Sequence, residues 1–254
     1  MLNFTISTSK KASNYLLKNF RRDKSLTTKR NTSKAITTKY DKQSNKIIIT
    51  EILKKYPKHN ILSEESKYIN NKSNYTWIID PLDGTSNFAN SNPFFAVSIA
   101  LVKNNELILG VVNAPYLKEL FTAEKGKCSS LNGKRIKVSN INNLSNSYLL
   151  GCEGSQKSNK RISKINSILH PIVKDLRKLG SASIEGCWVA CGRFDAYIVT
   201  KIFSWDIAAS ALIVKEANGS TTDFKGKEWN LNKSDLVLSN KKIHNKILNY
   251  VERL

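Results

Sequence analysis

The chain has 254 residues, 40% hydrophobic and 9% aromatic, and its 41 Lys and Arg outnumber 20 Asp and Glu to give a net charge of +21. That length and apolar content predict a globular protein with a substantial core. No apolar stretch approaches the ~20 residues a membrane helix needs, and Met1–Phe20 has no basic segment leading into an uninterrupted apolar run. Neither a membrane span nor a secretory signal is expected, which points to the cytoplasm.

The lysines are spread along the chain, with only short clusters such as Lys10-Lys11, Lys54-Lys55 and Lys241-Lys242. A positive surface attracts anions, whether phosphorylated metabolites or nucleic acid; a lysine-rich solvated surface is the plainer account, and nucleic acid is permitted but not favoured. Cys128, Cys152, Cys187 and Cys191 form no CxxC pair and are expected as small buried residues in a reducing compartment. His59, His170 and His244 are scattered, so neither a zinc site nor a His-activated nucleophile is expected.

In chain order, Ile6, Ala12, Leu16, Leu17 and Phe20 suit a first amphipathic helix. Residues 21–34 are basic and polar, the composition of a mobile loop. Asp41 is placed to cap a helix buried through Ile47, Ile48, Ile52 and Leu53 and stopped by Pro57. Ile61-Leu62-Ser63 reads as a short strand running into Glu64-Glu65-Ser66, and Trp77–Ile79 as another. The β-rich runs Phe94–Val102 and Leu107–Asn113 join at Asn104-Asn105, a hairpin signal, and Leu120–Ala123 leads to a turn at Lys125-Gly126. Beyond residue 140, short strands (Tyr148–Leu150, Ala196–Val199) alternate with helical stretches (158–169, Ser183–Cys191, Asp206–Ala217). The alternation predicts an α/β second half, hence an N-terminal α+β domain over 1–140 and a C-terminal α/β domain over 141–254.

Residues 77–90, Trp-Ile-Ile-Asp-Pro-Leu-Asp-Gly-Thr-Ser-Asn-Phe-Ala-Asn, carry the chemistry. An apolar run delivers Asp80 and Asp83 into a turn stiffened by Pro81, with the Leu82 carbonyl between them as an extra ligand. Gly84 lets the backbone approach a ligand closely. The Gly84 and Thr85 amides would open a helix, where unpaired donors attract an anion, and Thr85 adds a hydroxyl that can hold a water. Acids are scarce in this chain, yet Glu64-Glu65, Asp80, Asp83 and Asp206 all end apolar segments. Unpaired buried carboxylates are costly, and oxygen ligands without His or thiolate point to a hard cation, Mg²⁺ or Mn²⁺.

Glu64-Glu65-Ser66, Trp77–Phe88 and Trp205–Gly219 together resemble the three signatures of the inositol monophosphatase family, Mg²⁺-dependent, lithium-sensitive phosphatases of small phosphorylated metabolites. The likeness extends over almost the whole chain, including Ile36–Asp41, Leu120–Ala123 and Leu179–Ala182, and is nearest to the bacterial inositol-1-monophosphatase-like members. It implies a mixed α+β fold, a layered α-β-α-β-α sandwich, and a homodimer. Glu64, Asp80 and the Leu82 carbonyl would ligate a first metal; Asp80, Asp83 and Asp206 a second; a third, weaker metal would share Glu64. Thr85 would orient the attacking water with Asp41 behind it. Gly84 and Thr85 would meet the phosphate, and Gly180, Ser181 and Ala182 would line the substrate alcohol. Two cations about 3.5–4 Å apart would activate water on one side and stabilise the leaving oxygen on the other.

Four positions depart from the family pattern. Lys34-Ala35 precede Ile36-Thr37 where Asp is common, Ser63 replaces Gly before the paired glutamates, Asn45 replaces a Glu, and Val199 replaces a Glu that binds inositol hydroxyls. Val199, with Lys201 near it, predicts a weaker preference for inositol-1-phosphate or a more anionic substrate. A 3′-nucleotidase or bisphosphatase of the same fold, and an RNA- or transcription-associated regulatory homologue, are the alternatives.

Overall fold

Helices and sheets alternate in layers because both strand faces are apolar, which leaves each sheet needing cover on two sides. The computed structural model describes residues 1–21, 27–28, 36–153 and 160–252. The elements are α1 (Leu2–Asn19), β1 (Thr27–Thr28), β2 (Ile36–Thr37), α2 (Lys39–Lys55), β3 (Asn60–Ser63), β4 (Tyr75–Asp83), α3 (Thr85–Ala89), β5 (Ala96–Lys103), β6 (Glu106–Ala114), β7 (Glu119–Glu124), β8 (Ser129–Leu131), β9 (Lys134–Arg135), β10 (Tyr148–Glu153), α4 (Lys160–Leu169), β11 (Asp175–Arg177), α5 (Ala182–Ala190), β12 (Ala196–Thr200), α6 (Ser204–Glu216), β13 (Ser220–Thr222), β14 (Leu236–Ser239) and α7 (His244–Val251).

Of the two large sheets, the first runs β3-β4-β5-β6-β7-β8-β9 and the second β11-β10-β12-β14-β13, while β1 and β2 form a separate two-stranded sheet. The first is antiparallel except for the parallel β3–β4 pair. In the second, β11, β10 and β12 are parallel while β14 and β13 run against their neighbours. The Asn104-Asn105 hairpin forms with both residues at positive φ, 49° and 64°, the conformation a two-residue type I′ loop requires. The chain crosses between sheets after Arg135. Asp195 accepts from Ser139 Oγ and from the Tyr148 amide (2.8 Å), and Asn240 Nδ2 donates to Ser139 Oγ at 2.7 Å.

Three apolar clusters separate five layers, α-β-α-β-α. The α1 and α2 side chains Leu16, Ile48 and Ile52 pack on Trp77, Ile79, Val97 and Val111. On the opposite face of the same strands, Ile78 and Val112 meet Ile184, Ile207 and Leu212 of α5 and α6, which also cover Tyr197, Val199 and Leu238. Beyond the second sheet, Ile162, Ile165 and Ile247 of α4 and α7 cover Leu149, Ile198 and Val237. The period-2 switch of Trp77, Ile78, Ile79 and of Tyr197, Ile198, Val199 between clusters follows from strand geometry. Helix α6 is apolar all round because it lies between two sheets. It approaches β6 so closely that a Cβ on Gly110 would stand 2.7 Å from the Ala209 carbonyl oxygen.

Two local expectations change. Leu17 is 40% exposed and lies off the buried stripe of α1. Helix α2 is capped by Thr38, whose hydroxyl accepts from Tyr40 N at 3.1 Å, and Asp41 sits at the third helical position, accepting from Thr38 N at 2.8 Å. The pair forms a capping box, so Asp41 supports the cap instead of being it. Of the basic loop predicted over 21–34, residues 22–26 and 29–34 lie outside the described residues, and Thr27–Thr28 pairs with Ile36–Thr37. Helix α4 begins at Lys160; the two positions predicted before it also lie outside the described residues.

Candidate active site

A bulge at the end of β4 decides where the acids point. Residues three apart on a regular strand face opposite ways. Here Asp80 pairs with Ser98 and Asp83 with Ala96, so three steps along β4 match two along β5. The extra residue brings both carboxylates to one face, the re-aiming that β-bulges supply. Pro81 lies within the irregularity, where its missing N–H costs no ladder bond, and its carbonyl accepts from Ser44 Oγ on α2 at 2.7 Å. The segment is a bulged strand end, where the sequence suggested a turn.

Three carboxylates meet there. One oxygen each of Glu64, Asp80 and Asp206 lies within 4.8 Å of the others. Parallel pairing of β3 with β4 sets Glu64 beside Asp80, with the Glu64 amide donating to the Ile79 carbonyl at 3.2 Å. Asp206, in the first turn of α6, accepts from Phe203 N at 3.1 Å, the backward reach of an acid at a helix start. Asp80 is 2% exposed and accepts from Leu82 N at 3.0 Å. Burial first, then the charges of Glu64, Asp83 and Asp206, push its carboxyl well above the usual range. Like charges gathered out of water disfavour one another's ionised form, and a cation relieves that. The donors are all oxygen, a set that suits a hard cation such as Mg²⁺ or Mn²⁺.

Asp83 is held by another element. Its Oδ2 accepts from Ser181 Oγ (2.6 Å), Ser183 N (2.8 Å) and Ser183 Oγ, and its Oδ1 from Ala182 N at 3.2 Å. Burial raises its carboxyl, and these bonds oppose the rise. Thr85 Oγ1 lies 2.7 Å from Asp41 Oδ1 and 3.0 Å from the Leu82 carbonyl oxygen. It has one proton, and the shorter contact, to a carboxylate, takes it. Asp41 is buried, which raises its carboxyl; bonds from Thr38 and Thr85 lower it, and nearby Glu65 adds a smaller rise.

Gly84 caps α3 at φ +84°, and a Cβ there would stand 2.5 Å from the Phe94 carbonyl oxygen. Gly84→Ala therefore incurs a left-handed penalty of about 1–2 kcal/mol plus a backbone clash. We expect kcat/KM to fall by roughly 10²-fold, because small displacements of a reacting geometry cost that much, together with a lower Tm; steady-state kinetics and thermal melts check this. Gly180 is exposed, Ala182 half-buried, and Ser181 fully buried with its hydroxyl turned to Asp83.

Sequence reasoning overlooked Ser44, Ser183, Asn87 and Glu185. Of these only Glu185 left a trace, as a single acid in the apolar run Ala182–Ala190. Two of the family departures meet: Ser63 Oγ donates to Asn45 Oδ1 at 2.7 Å in the buried interior. Thr37 Oγ1 donates to Glu65 Oε2 at 3.2 Å. Val199 is fully buried among the apolar side chains between the sheets, and Lys201, at φ +53°, donates its amide to Asp235 Oδ1 at 3.2 Å.

Comparison with known proteins agrees with this fold. A model of the inositol monophosphatase family matches residues 1–254. The fructose-1,6-bisphosphatase/inositol-1-monophosphatase of Thermotoga maritima is 40% identical over 222 residues, 87% of this chain and 84% of that one. The Nus factor SuhB of Pasteurella multocida is 37% identical over 256 residues, covering 99% of this chain and 96% of the relative. Among solved structures, the Thermotoga maritima IMPase superposes with a TM-score of 0.91 at 36% identity, covering 99% and 96% of the two chains. The extragenic suppressor protein suhB of Bartonella henselae gives 0.93 at 30%, covering 99% and 98%. With fold, whole-length match and relatives in agreement, the chain belongs to the inositol monophosphatase family and is a phosphatase.

Proposed function

We propose that this phosphatase hydrolyses a small phosphorylated metabolite, inositol-1-phosphate or a related sugar phosphate, by attack of water with Mg²⁺ in the site. The observation that carries the reading is the meeting of Glu64, Asp80 and Asp206 from three separate elements within 4.8 Å. Those residues, with Asp83 and the Leu82 carbonyl, would hold two or three Mg²⁺, with Mn²⁺ as a substitute. The cation supplies charge neutralisation and water activation.

The chain's own groups do the rest. The Thr85 hydroxyl, its proton directed to Asp41, keeps lone pairs to accept from a water beside Glu64. The Gly84 and Thr85 amides face the ester phosphate, and Gly180 and Ala182 border its alcohol. Val199 offers an inositol ring no hydrogen bond. Phosphate release should be measured with Mg²⁺ over inositol-1-phosphate, fructose-1,6-bisphosphate, 3′-phosphoadenosine-5′-phosphate and histidinol phosphate. We expect turnover of at least one monoester, inhibition by lithium, and loss of all activity on chelation. Activity surviving exhaustive chelation would sink the metal role, and strong exclusive preference for inositol-1-phosphate would sink the consequence drawn from Val199. A cytoplasmic homodimer completes the reading; no helix among the described residues is long and apolar enough to cross a membrane.

A second reading, an RNA- or transcription-associated role, is favoured by the +21 charge and by whole-length relatives named Nus factor SuhB. RNA binding measured at two salt concentrations separates it, since phosphate-driven binding collapses as salt rises.

A further inference from the structure

Behind the carboxylates, one loop is gripped from two sides. The segment Leu179–Gly180 precedes α5 and borders Gly84: a Cβ on Gly84 would lie 3.4 Å from the Gly180 carbonyl oxygen and 3.3 Å from Ser181 Cβ. Exposed Gly180 thus stands at the mouth of the site, beside the turn that follows Asp83. From inside, Glu185 Oε1 accepts from Leu179 N at 2.6 Å and from Gly180 N at 3.4 Å. From α3, Asn87 Nδ2 donates to the Leu179 carbonyl at 2.8 Å and to the Phe94 carbonyl at 2.8 Å. Both peptide groups flanking the Leu179 side chain are therefore fixed, one by a carboxylate and one by an amide.

Glu185 is fully buried in an otherwise apolar helix. Its carboxyl interacts with the buried Tyr197 hydroxyl, and neither Glu185 Oε2 nor Tyr197 Oη has a hydrogen bond of full geometry among the described residues. A carboxylate in such surroundings is a poor choice for packing alone. The service it renders is to the loop.

We propose that Glu185 and Asn87 are positioning residues that clamp Leu179–Gly180 as the wall against which the leaving group of the substrate is held. The assignment of that wall to catalysis rests on the phosphatase reading above. Neither residue touches the reacting phosphate; both act through the loop, in the way supporting groups orient the residues that do touch a ligand.

The test compares Glu185→Gln, Glu185→Met and Asn87→Leu with the full-length parent. Gln keeps the acceptor oxygen; Met fills the volume without it. Two readouts are taken. Backbone amide exchange at Leu179 and Gly180 reports the clamp without turnover: we expect protection retained in Glu185→Gln and lowered at least tenfold in Glu185→Met. Kinetics with Mg²⁺ on inositol-1-phosphate and on p-nitrophenyl phosphate, whose flat ring has no hydroxyls to meet the wall, report the function. We expect KM for the polyol ester to rise at least tenfold in Glu185→Met and in Asn87→Leu, with a much smaller change for the aryl ester, and rescue by Gln. Unchanged exchange in Glu185→Met, or a loss equal for both substrates and not rescued by Gln, overturns the proposal. Should Glu185→Met fail to fold, Asn87→Leu decides by the same substrate split. If exchange responds but the parent cleaves neither ester, the clamp stands and its assignment to catalysis falls.

Discussion

Replacing Asp80 with Asn is expected to lower kcat/KM for phosphate release by at least ~10³-fold, because loss of several kcal/mol of charge stabilisation costs a factor of ten for each 1.36 kcal/mol. The same substitution is expected to raise the Tm of the metal-free protein. Asp80 is buried among Glu64, Asp83 and Asp206, and burial and those charges hold its carboxyl well above the usual range. An acid whose folded pKa is raised contributes stability below its unfolded pKa and loses it as pH rises through the folded one. Asparagine is neutral at every pH, keeps an oxygen to accept from the Leu82 amide, and removes the repulsion. The gain in Tm should therefore grow with pH and shrink when Mg²⁺ is added, since the cation relieves the same repulsion in the parent. Melts over a pH series with and without Mg²⁺, alongside phosphate release, separate the outcomes. A variant with a tenth of parental activity would show that Asp80 is dispensable to the site, and a variant less stable than the parent in the absence of metal would show that repulsion does not govern this cluster.

The sequence exposed this trade because the acids stand out against their neighbours. Asp80 follows Trp77-Ile78-Ile79, and Asp206 opens an apolar helix; a charge at the end of a buried segment is conspicuous. The strands and helices were legible for a related reason: their runs differ in period, and Asn104-Asn105 is a pair that tolerates two successive positive φ values; the stacking of these elements into layers came from the family resemblance. What the sequence concealed is tertiary. That Asp80 and Asp83 face one way depends on a one-residue bulge opposite Ser98 and Ala96, which no spacing rule reveals. That Ser181 serves Asp83 and not the open site depends on where the start of α5 docks. The substitutions Asn45 and Ser63 look like independent departures in the chain and are one hydrogen bond in the fold. Val199 marks the limit of reading a missing group: its burial explains why an apolar residue is accepted there, while the substrate that benefits is a matter for the metabolite panel.

Glu185→Gln should stabilise the protein in alkaline solution and leave it unchanged in acid. Burial pushes the Glu185 carboxyl up to about 7 from an ordinary 4.5, against the amide of Leu179, and the charge of Asp83 adds to the rise. Below pH 4.5 the group is protonated in both folded and unfolded chains, and folding carries no ionisation penalty. Between 4.5 and 7 the unfolded chain ionises freely while the folded one retains its proton, so stability declines with rising pH. Above 7 the folded protein bears the full difference, about 3 kcal/mol at 1.36 kcal/mol per unit. Glutamine does not titrate, still accepts from Leu179 N, and presents an NH₂ to Tyr197 Oη. For a chain of this size such a gain corresponds to roughly 6 °C in Tm, expected at pH 8 and absent at pH 4. Equal Tm values for parent and variant across that range would mean that Glu185 ionises as an ordinary carboxylate, and that the clamp on Leu179–Gly180 is maintained without strain. A difference growing between pH 5 and 7 would identify a residue kept at a cost in stability, as a group retained for positioning would be.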